Sequence, residues 1–302
     1  MLKWFRRLGL AAIGVLAVLA AIAAVRVQSF PVGSLATRIP ARTALMLQRE
    51  REAQAKRRPL HIDQRWVGYD SVSPLLRRAI LIAEDDKFYS HDGLDWYEIR
   101  ASARANLERG RIVRGGSTIT QQLAKNLYLG DARTVTRKLE EAFLAVRLER
   151  ALRKRRIFEL YLNLIEWGDG IFGAEAAARR YFGVPVSRLT ERQAVLLAAV
   201  IINPRRFSVL NPGRRIERRV RLIASRLRRR GFLDDAQYAA VTGRPAPEQP
   251  SLAEWFFGGP PKQPPAAAPD TGYPGAGGPM PLPTGPATPD TAGRESTAFA
   301  PP

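Results

Sequence analysis

Apolar residues recur at three- and four-residue intervals along most of this chain, and the alternation expected of strands is nearly absent. Ser73-Pro74 reads as a helix start, with Ser as N-cap and Pro at the first helical position, where its missing N–H costs nothing. Leu75, Leu76, Ala79, Ile80 and Ala83 follow at helical spacing, and Glu84 extends that stripe. Residues 45–58 predict a charged helix, and Trp96, Tyr97 and Ile99 open another. Ile119, Leu123 and Leu127 form the apolar stripe of a further helix. Residues 134–152 predict a long helix with Val135, Leu139, Ala142, Phe143 and Val146 inward. The pattern continues over 154–163 and over an alanine-rich stretch, 173–182, ended by Gly183. Thr190-Glu191 caps a continuously apolar helix that Asn203-Pro204 stops, which marks a buried centre. A basic helix over 216–230 turns Val220, Ile223, Ala224 and Leu227 inward, and Asp234-Asp235 starts a last short one. Only residues 65–69 read as extended. The pattern predicts an all-α domain over residues 28–243.

Both ends depart from this pattern. Lys3, Arg6 and Arg7 precede an uncharged run, residues 8–25, which as a helix spans about 27 Å against a hydrocarbon core of ~30 Å. Residues 1–27 therefore read as a cytoplasmic basic end and a transmembrane anchor, with everything after Arg26 outside the cytoplasm. A cleaved signal peptide is the alternative, with Ala21-Ile22-Ala23 as its site, but the run exceeds the usual h-region. Residues 244–302 are rich in Pro, Ala and Gly without apolar periodicity, and predict a disordered tail.

Of the 302 residues, 48 are Lys or Arg and 28 Asp or Glu, a formal net charge of +20. That excess suits nucleic acid, an anionic membrane surface or a phosphorylated substrate. A domain outside the cytoplasm meets no nucleic acid, which leaves the other two. The absence of cysteine removes disulfides, thiol catalysis and Cys-ligated zinc.

Two stretches carry candidate chemistry. Glu84 ends an apolar helix, beside the like charges Asp85 and Asp86 and at the negative end of the helix dipole. Partial desolvation, dipole and neighbouring charge all push its pKa up, as a general base needs. The alternative is an acidic helix end turning into solvent. Gly115-Gly116 opens a second helix on which Thr118, Gln121, Gln122 and Lys125 share a face. Backbone N–H groups after two glycines, with a lysine two turns on, suit an anionic or hydroxyl-rich ligand. The alternative is an amphipathic helix with a solvated face. Arg137 and Lys138 lie four and three residues before Glu141, the spacing of surface ion pairs.

Four motifs stand in order. E-D-x-x-F-x-x-H-x-G is met by Glu84, Asp85, Phe88, His91 and Gly93, and G-G-S-T-I-T-Q-Q-x-x-K-N by residues 115–126. R-K-x-x-E is met by Arg137, Lys138 and Glu141, and the fourth runs from Arg156 to Asn163. Together they resemble the glycosyltransferase 51 family of peptidoglycan polymerases over about residues 60–231. The run 168–178 is similar to its monofunctional biosynthetic branch from Gram-negative bacteria. The S-x-x-K and K-T-G motifs of bifunctional relatives do not follow, so the chain looks like a stand-alone polymerase.

The resemblance implies a lysozyme-like α-helical fold with a small membrane-proximal lobe, in the inner membrane with the catalytic domain periplasmic. It implies lipid II and the growing glycan strand as substrates, joined by β-1,4 bonds with inversion and release of undecaprenyl pyrophosphate. Glu84 matches the general base that deprotonates the acceptor 4-hydroxyl, and Glu141 the second glutamate, which orients substrate or assists the departing pyrophosphate. Lys125 and Arg133 match basic residues near the pyrophosphate, and Ser117, Gln121 and Gln122 line the cleft. Arg137 supports Glu141, while Asp85, Phe88, His91, Gly93, Gly116 and Asn126 support the motifs. Choosing Glu84 over Asp85 and Asp86, and Glu141 over Glu140, rests on motif register. No cofactor is required; a divalent cation (Mg or Mn) helps some relatives bind pyrophosphate, and nothing in the sequence fixes a metal site. Cell-wall synthesis and division proteins are compatible partners that the sequence does not single out. Two rivals are a lysozyme-like hydrolase or lytic transglycosylase and a non-enzymatic membrane-anchored scaffold. The cations Lys125, Arg133 and Arg137 argue against the first, since a hydrolase has no pyrophosphate to neutralise.

Overall fold

Burial of the apolar stripes assembles helices α1 (Leu2–Gln28), α2 (Ala44–Ala55), α3 (Pro74–Glu84), α4 (Trp96–Glu108), α5 (Ile119–Ala124), α6 (Val135–Ala151), α7 (Lys154–Leu164), α8 (Ala174–Phe182), α9 (Glu191–Val200), α10 (Arg214–Arg229) and α11 (Asp235–Thr242). The structure is a computed structural model that describes residues 2–111, 115–131 and 135–246. Met1–Pro247 is one compact unit; from residue 247 the Pro-rich tail lies outside the described residues.

Each expected helix forms within a few residues of its predicted ends, and several start on side-chain caps. Ser73 accepts from the Leu76 N–H, Asp95 from Glu98, and Thr190 and Asp234 form capping boxes with Gln193 and Gln237. The apolar helix α9, buried from Ala194 to Val200, packs against α3, α10 and α11. α5 packs against α6 and α7, and one hydrophobic cluster joins both groups. α5 continues as a wider π-type turn, Lys125–Leu129, which rests on α2. Such turns are rare and concentrate at functional sites.

Two expectations change. The buried face of α6 is Glu140, Glu141, Leu144, Ala145 and Leu148, whereas Leu139, Ala142, Phe143 and Val146 are only half-buried and the Val135 side chain lies outside the described residues. Apolar periodicity misplaced this face because two carboxylates lie on it, each held by a cation. The domain also contains a small sheet in the order β1 (Asp63–Gln64), β3 (Ile171–Phe172), β2 (Glu166–Gly168). The extended segment at 65–69 pairs with a side chain instead: Asn163 accepts from the Val67 N–H at 2.9 Å and donates to its carbonyl at 2.9 Å. Gly170 makes the sheet's turn at φ +75°, where a Cβ would lie 2.4 Å from the His61 carbonyl oxygen.

Only the last turns of α1 enter this core. Ala23 and Val27 are buried against α6, Arg26 pairs with Glu140 at 2.8 Å, and Arg147 donates to the Val27 and Phe30 carbonyls. Farther back, Leu10, Ile13, Val15, Leu16 and Val18 are each more than half exposed. Among the described residues no helix is long and apolar enough to cross a membrane; within the apolar run the side chains of Leu8 and Ala12 lie outside them.

Candidate active site

Glu84 stands at the C-terminal end of α3, where unpaired carbonyls need donors. α10 supplies them: Arg226 donates to the Ile82 carbonyl at 3.1 Å and Arg219 to the Ala83 carbonyl at 3.3 Å. Arg219 also pairs with the Glu84 carboxylate, whose other oxygen accepts from Gln122 at 3.0 Å. Behind Gln122, the buried Tyr161 hydroxyl donates to its amide oxygen at 2.9 Å. Burial, then the charges of Glu84 and Asp85, raise the Tyr161 hydroxyl well above its ordinary pKa, so it remains a donor and turns the Gln122 amide nitrogen toward Glu84. Burial raises the Glu84 pKa as well, against the opposing pull of Arg219 and Gln122. The result is a carboxylate poised to take a proton, at the edge of a cleft of about 750 Å³ whose lining includes Gly116, Ser117, Ile202, Arg219 and Leu222.

The neighbouring acids have other partners. Asp85 accepts from the Ile119 N–H at 2.9 Å and meets His91 Nε2 at 3.1 Å. His91 Nδ1 accepts from the Gly93 N–H at 3.2 Å, which leaves the proton on Nε2, facing Asp85. Thr118 closes the knot by donating to the Gly93 carbonyl at 2.7 Å. Gly93 has φ +95°, and a Cβ there would press on Ala145 at 3.0 Å. Asp86 is held by Arg230, and Phe88 is buried beneath the Lys154 ammonium. These motif residues build the site's frame.

The start of α5 is less open than its glycines suggest. The Ile119 N–H goes to Asp85 and the Gln121 N–H to Thr118, while the Gln121 side chain returns to the Thr118 N–H at 3.0 Å. Those donors are spent within the protein, and Gln121, expected among the substrate contacts, is only 3% exposed. Gly116 serves close packing: a Cβ would lie 3.2 Å from the Glu98 carbonyl oxygen on α4. Asn126 is buried in the π-type turn.

The cations gather farther along. Glu141 is 3% exposed, pairing with Arg137 on one oxygen and with Lys138 on the other at 2.8 Å. Lys138 reaches on to Ser117 Oγ at 2.7 Å, so Ser117 joins the Glu84 cleft to the Glu141 cluster. Lys138 is pushed down to about 8 by burial, then by the charges of Arg137 and Lys125, which places three cations in one neighbourhood. Lys125 is 31% exposed and meets Asp131 at 3.4 Å. Arg133 lies outside the described residues. Among the described residues no group of three or more His, Cys, Asp or Glu is arranged to hold a metal ion. Glu141 and Asp131 are both engaged by cations, a donor set that does not fit a divalent metal.

A family model describing a transglycosylase matches residues 51–228. The chain belongs to the transglycosylase family. It is 50% identical over 188 residues to a biosynthetic peptidoglycan transglycosylase of Laribacter hongkongensis, covering 62% of this chain and 82% of that relative. Proteins of the same name match from Chromobacterium violaceum (52% over 163 residues; 54% and 72% covered) and Aromatoleum aromaticum (48% over 188 residues; 62% and 81% covered). Within this transglycosylase, Arg219, Tyr161 and Lys138 join the site without having been singled out as site residues by sequence. Arg219 is one arginine among many on α10, and Tyr161 looks like core. Lys138 stood inside a motif, yet at ion-pair spacing it read as a surface residue.

Proposed function

We propose that this enzyme polymerises lipid II into β-1,4-linked glycan strands, inverting the donor anomeric carbon and releasing undecaprenyl pyrophosphate. Peptidoglycan glycosyl transfer itself follows from family membership and the relatives' shared name. The observation that carries the finer reading is the pairing of a desolvated carboxylate, Glu84, with a separate cation cluster, joined through Ser117.

Each group has a task. Glu84 takes the proton of the acceptor 4-hydroxyl as its oxygen attacks the donor C1. The C1–O bond to pyrophosphate breaks, and charge collects on an excellent leaving group that needs electrostatic stabilisation more than protonation. Lys125, Arg137 and Lys138 supply that charge, and Arg133 is proposed to join them. Glu141 holds Arg137 and Lys138 in register, and Gln122 aims Glu84.

A lipid-linked donor requires the cleft to sit at a membrane. The exposed apolar side chains of α1 support an anchor crossing the inner membrane with its N-terminus cytoplasmic and the domain periplasmic. On α4, Trp96, Tyr97 and Leu107 are 63%, 69% and 84% exposed, which supports a small lobe meeting the lipid interface. The test is incubation of the purified protein in detergent with labelled lipid II. Strands longer than one disaccharide are expected. Unchanged lipid II refutes the reading, as does a protein that only cuts preformed glycan.

A further inference from the structure

Lys125 does not wait for substrate with a bare ammonium. Its contact with Asp131 is long, at 3.4 Å, and both side chains are partly exposed. Asp131, by contrast, is seated firmly. Its N–H donates to Gln48 Oε1 at 2.7 Å, and its second oxygen accepts from Arg49 at 3.3 Å. Arg49 is 6% exposed and locked in turn, donating to Glu166 at 2.9 and 3.1 Å and to Glu52 at 3.1 Å. Gly130 brings the loop onto α2 at φ +69°, where a Cβ would fall 2.5 Å from Gln48 Oε1. One partner of the weak contact is therefore held by its backbone N–H and shared with a buried arginine through a contact of similar length. The other is an ammonium on a flexible four-carbon stem.

We propose that Asp131 is a positioning residue that occupies Lys125 until pyrophosphate arrives, with Arg49 holding it in place. Donor binding then exchanges one anion for another on the same ammonium, and the carboxylate recaptures Lys125 as the product pyrophosphate leaves. The proposal rests on the reading of Lys125 as a pyrophosphate ligand. Burial pushes Asp131 up, but Lys125 and Arg49 outweigh it and hold the group below its ordinary pKa, so the competing anion is present at neutral pH. Gln48 and Arg49 precede the span 51–228 that the family model matches, so two residues of this device lie outside it, on a helix that runs into it.

The probe is inorganic pyrophosphate, titrated calorimetrically into the full chain in detergent, alongside lipid II polymerisation. Asp131→Asn is expected to tighten pyrophosphate about two- to fivefold, the range of a partly exposed ion pair. Asp131→Glu, which keeps the anion, retains wild-type affinity, and Asp131→Ser serves if the Asn variant does not fold. In a Lys125→Ala background the gain disappears. Weaker or unchanged binding in Asp131→Asn, or no pyrophosphate binding by any variant, overturns the proposal. A gain of equal size with and without Lys125 is generic charge repulsion and overturns it too. If pyrophosphate behaves as expected but no glycan forms from lipid II, the functional reading fails and the exchange stands. If glycan forms and the affinity is not raised, the exchange alone fails.

Discussion

Replacing Arg219 with Met removes the cation that opposes the burial-driven rise of the Glu84 pKa while leaving the buried stripe of α10 in place. Both partners are under a quarter exposed, so solvent screens the pair only partly. A hydrogen bond to a charged group contributes about 1.5–3 kcal/mol. At ~1.36 kcal/mol per pKa unit, its loss raises the Glu84 pKa by roughly one to two units. The sign follows from the role: a general base works only when ionised, so the acidic limb of the rate profile must move upward. The assay is kcat/KM for lipid II from about pH 5 to about pH 9, which reports the free enzyme's base. Below both limbs the variant should be about ten- to a hundredfold slower, converging toward wild type at the alkaline end. A limb that stays in place while the whole profile drops would refute the argument, assigning Arg219 to substrate or fold instead. Thermal melting separates those two.

Three further outcomes follow from the geometry. Asp85→Ala strips acceptors from the Ile119 N–H and from His91, and should cost about 2–4 kcal/mol in denaturant unfolding; a loss below ~0.5 kcal/mol would contradict its framing role. Lys138 loses its charge as pH rises through about 8, so pyrophosphate affinity should fall there, and Lys138→Arg should flatten that dependence; an identical slope in the variant removes Lys138 from the anion site. Because the unfolded lysine keeps its proton up to about 10.5, stability should rise between those values in wild type and not in the arginine variant, as chemical denaturation across that range would show.

Much of the fold was legible because local chemistry and burial agree. Ser73-Pro74, Thr190-Glu191 and Asp234-Asp235 set helix starts that the structure keeps. The stripe of α10 stands where periodicity put it. α6 was misjudged because apolar periodicity treats Glu140 and Glu141 as solvent-facing, and only tertiary partners reveal that both are buried. The small sheet escaped notice because strands of two or three residues carry no period. At the site, the choice of Glu84 over Asp85 rested on motif register; both line the cleft, but Glu84 meets Arg219 and Gln122, whereas Asp85 is tied to a helix start and a histidine. The partners of Glu84 were not legible. Arg219 lies 135 residues away on a helix whose many arginines look alike in sequence. Gln121 and Gln122 are adjacent and identical, yet one caps a helix and the other aims a carboxylate.

Glu84 as the base of a lipid II polymerase is tested most directly by one substitution. Glu84→Gln keeps the shape and the contact to Arg219 while removing the proton acceptor. The direct measurement is glycan strand formation from labelled lipid II by wild type and by this variant, with melting temperatures matched. Long strands from wild type and none from Glu84→Gln are the predicted result; strands from the variant at a comparable rate would contradict it.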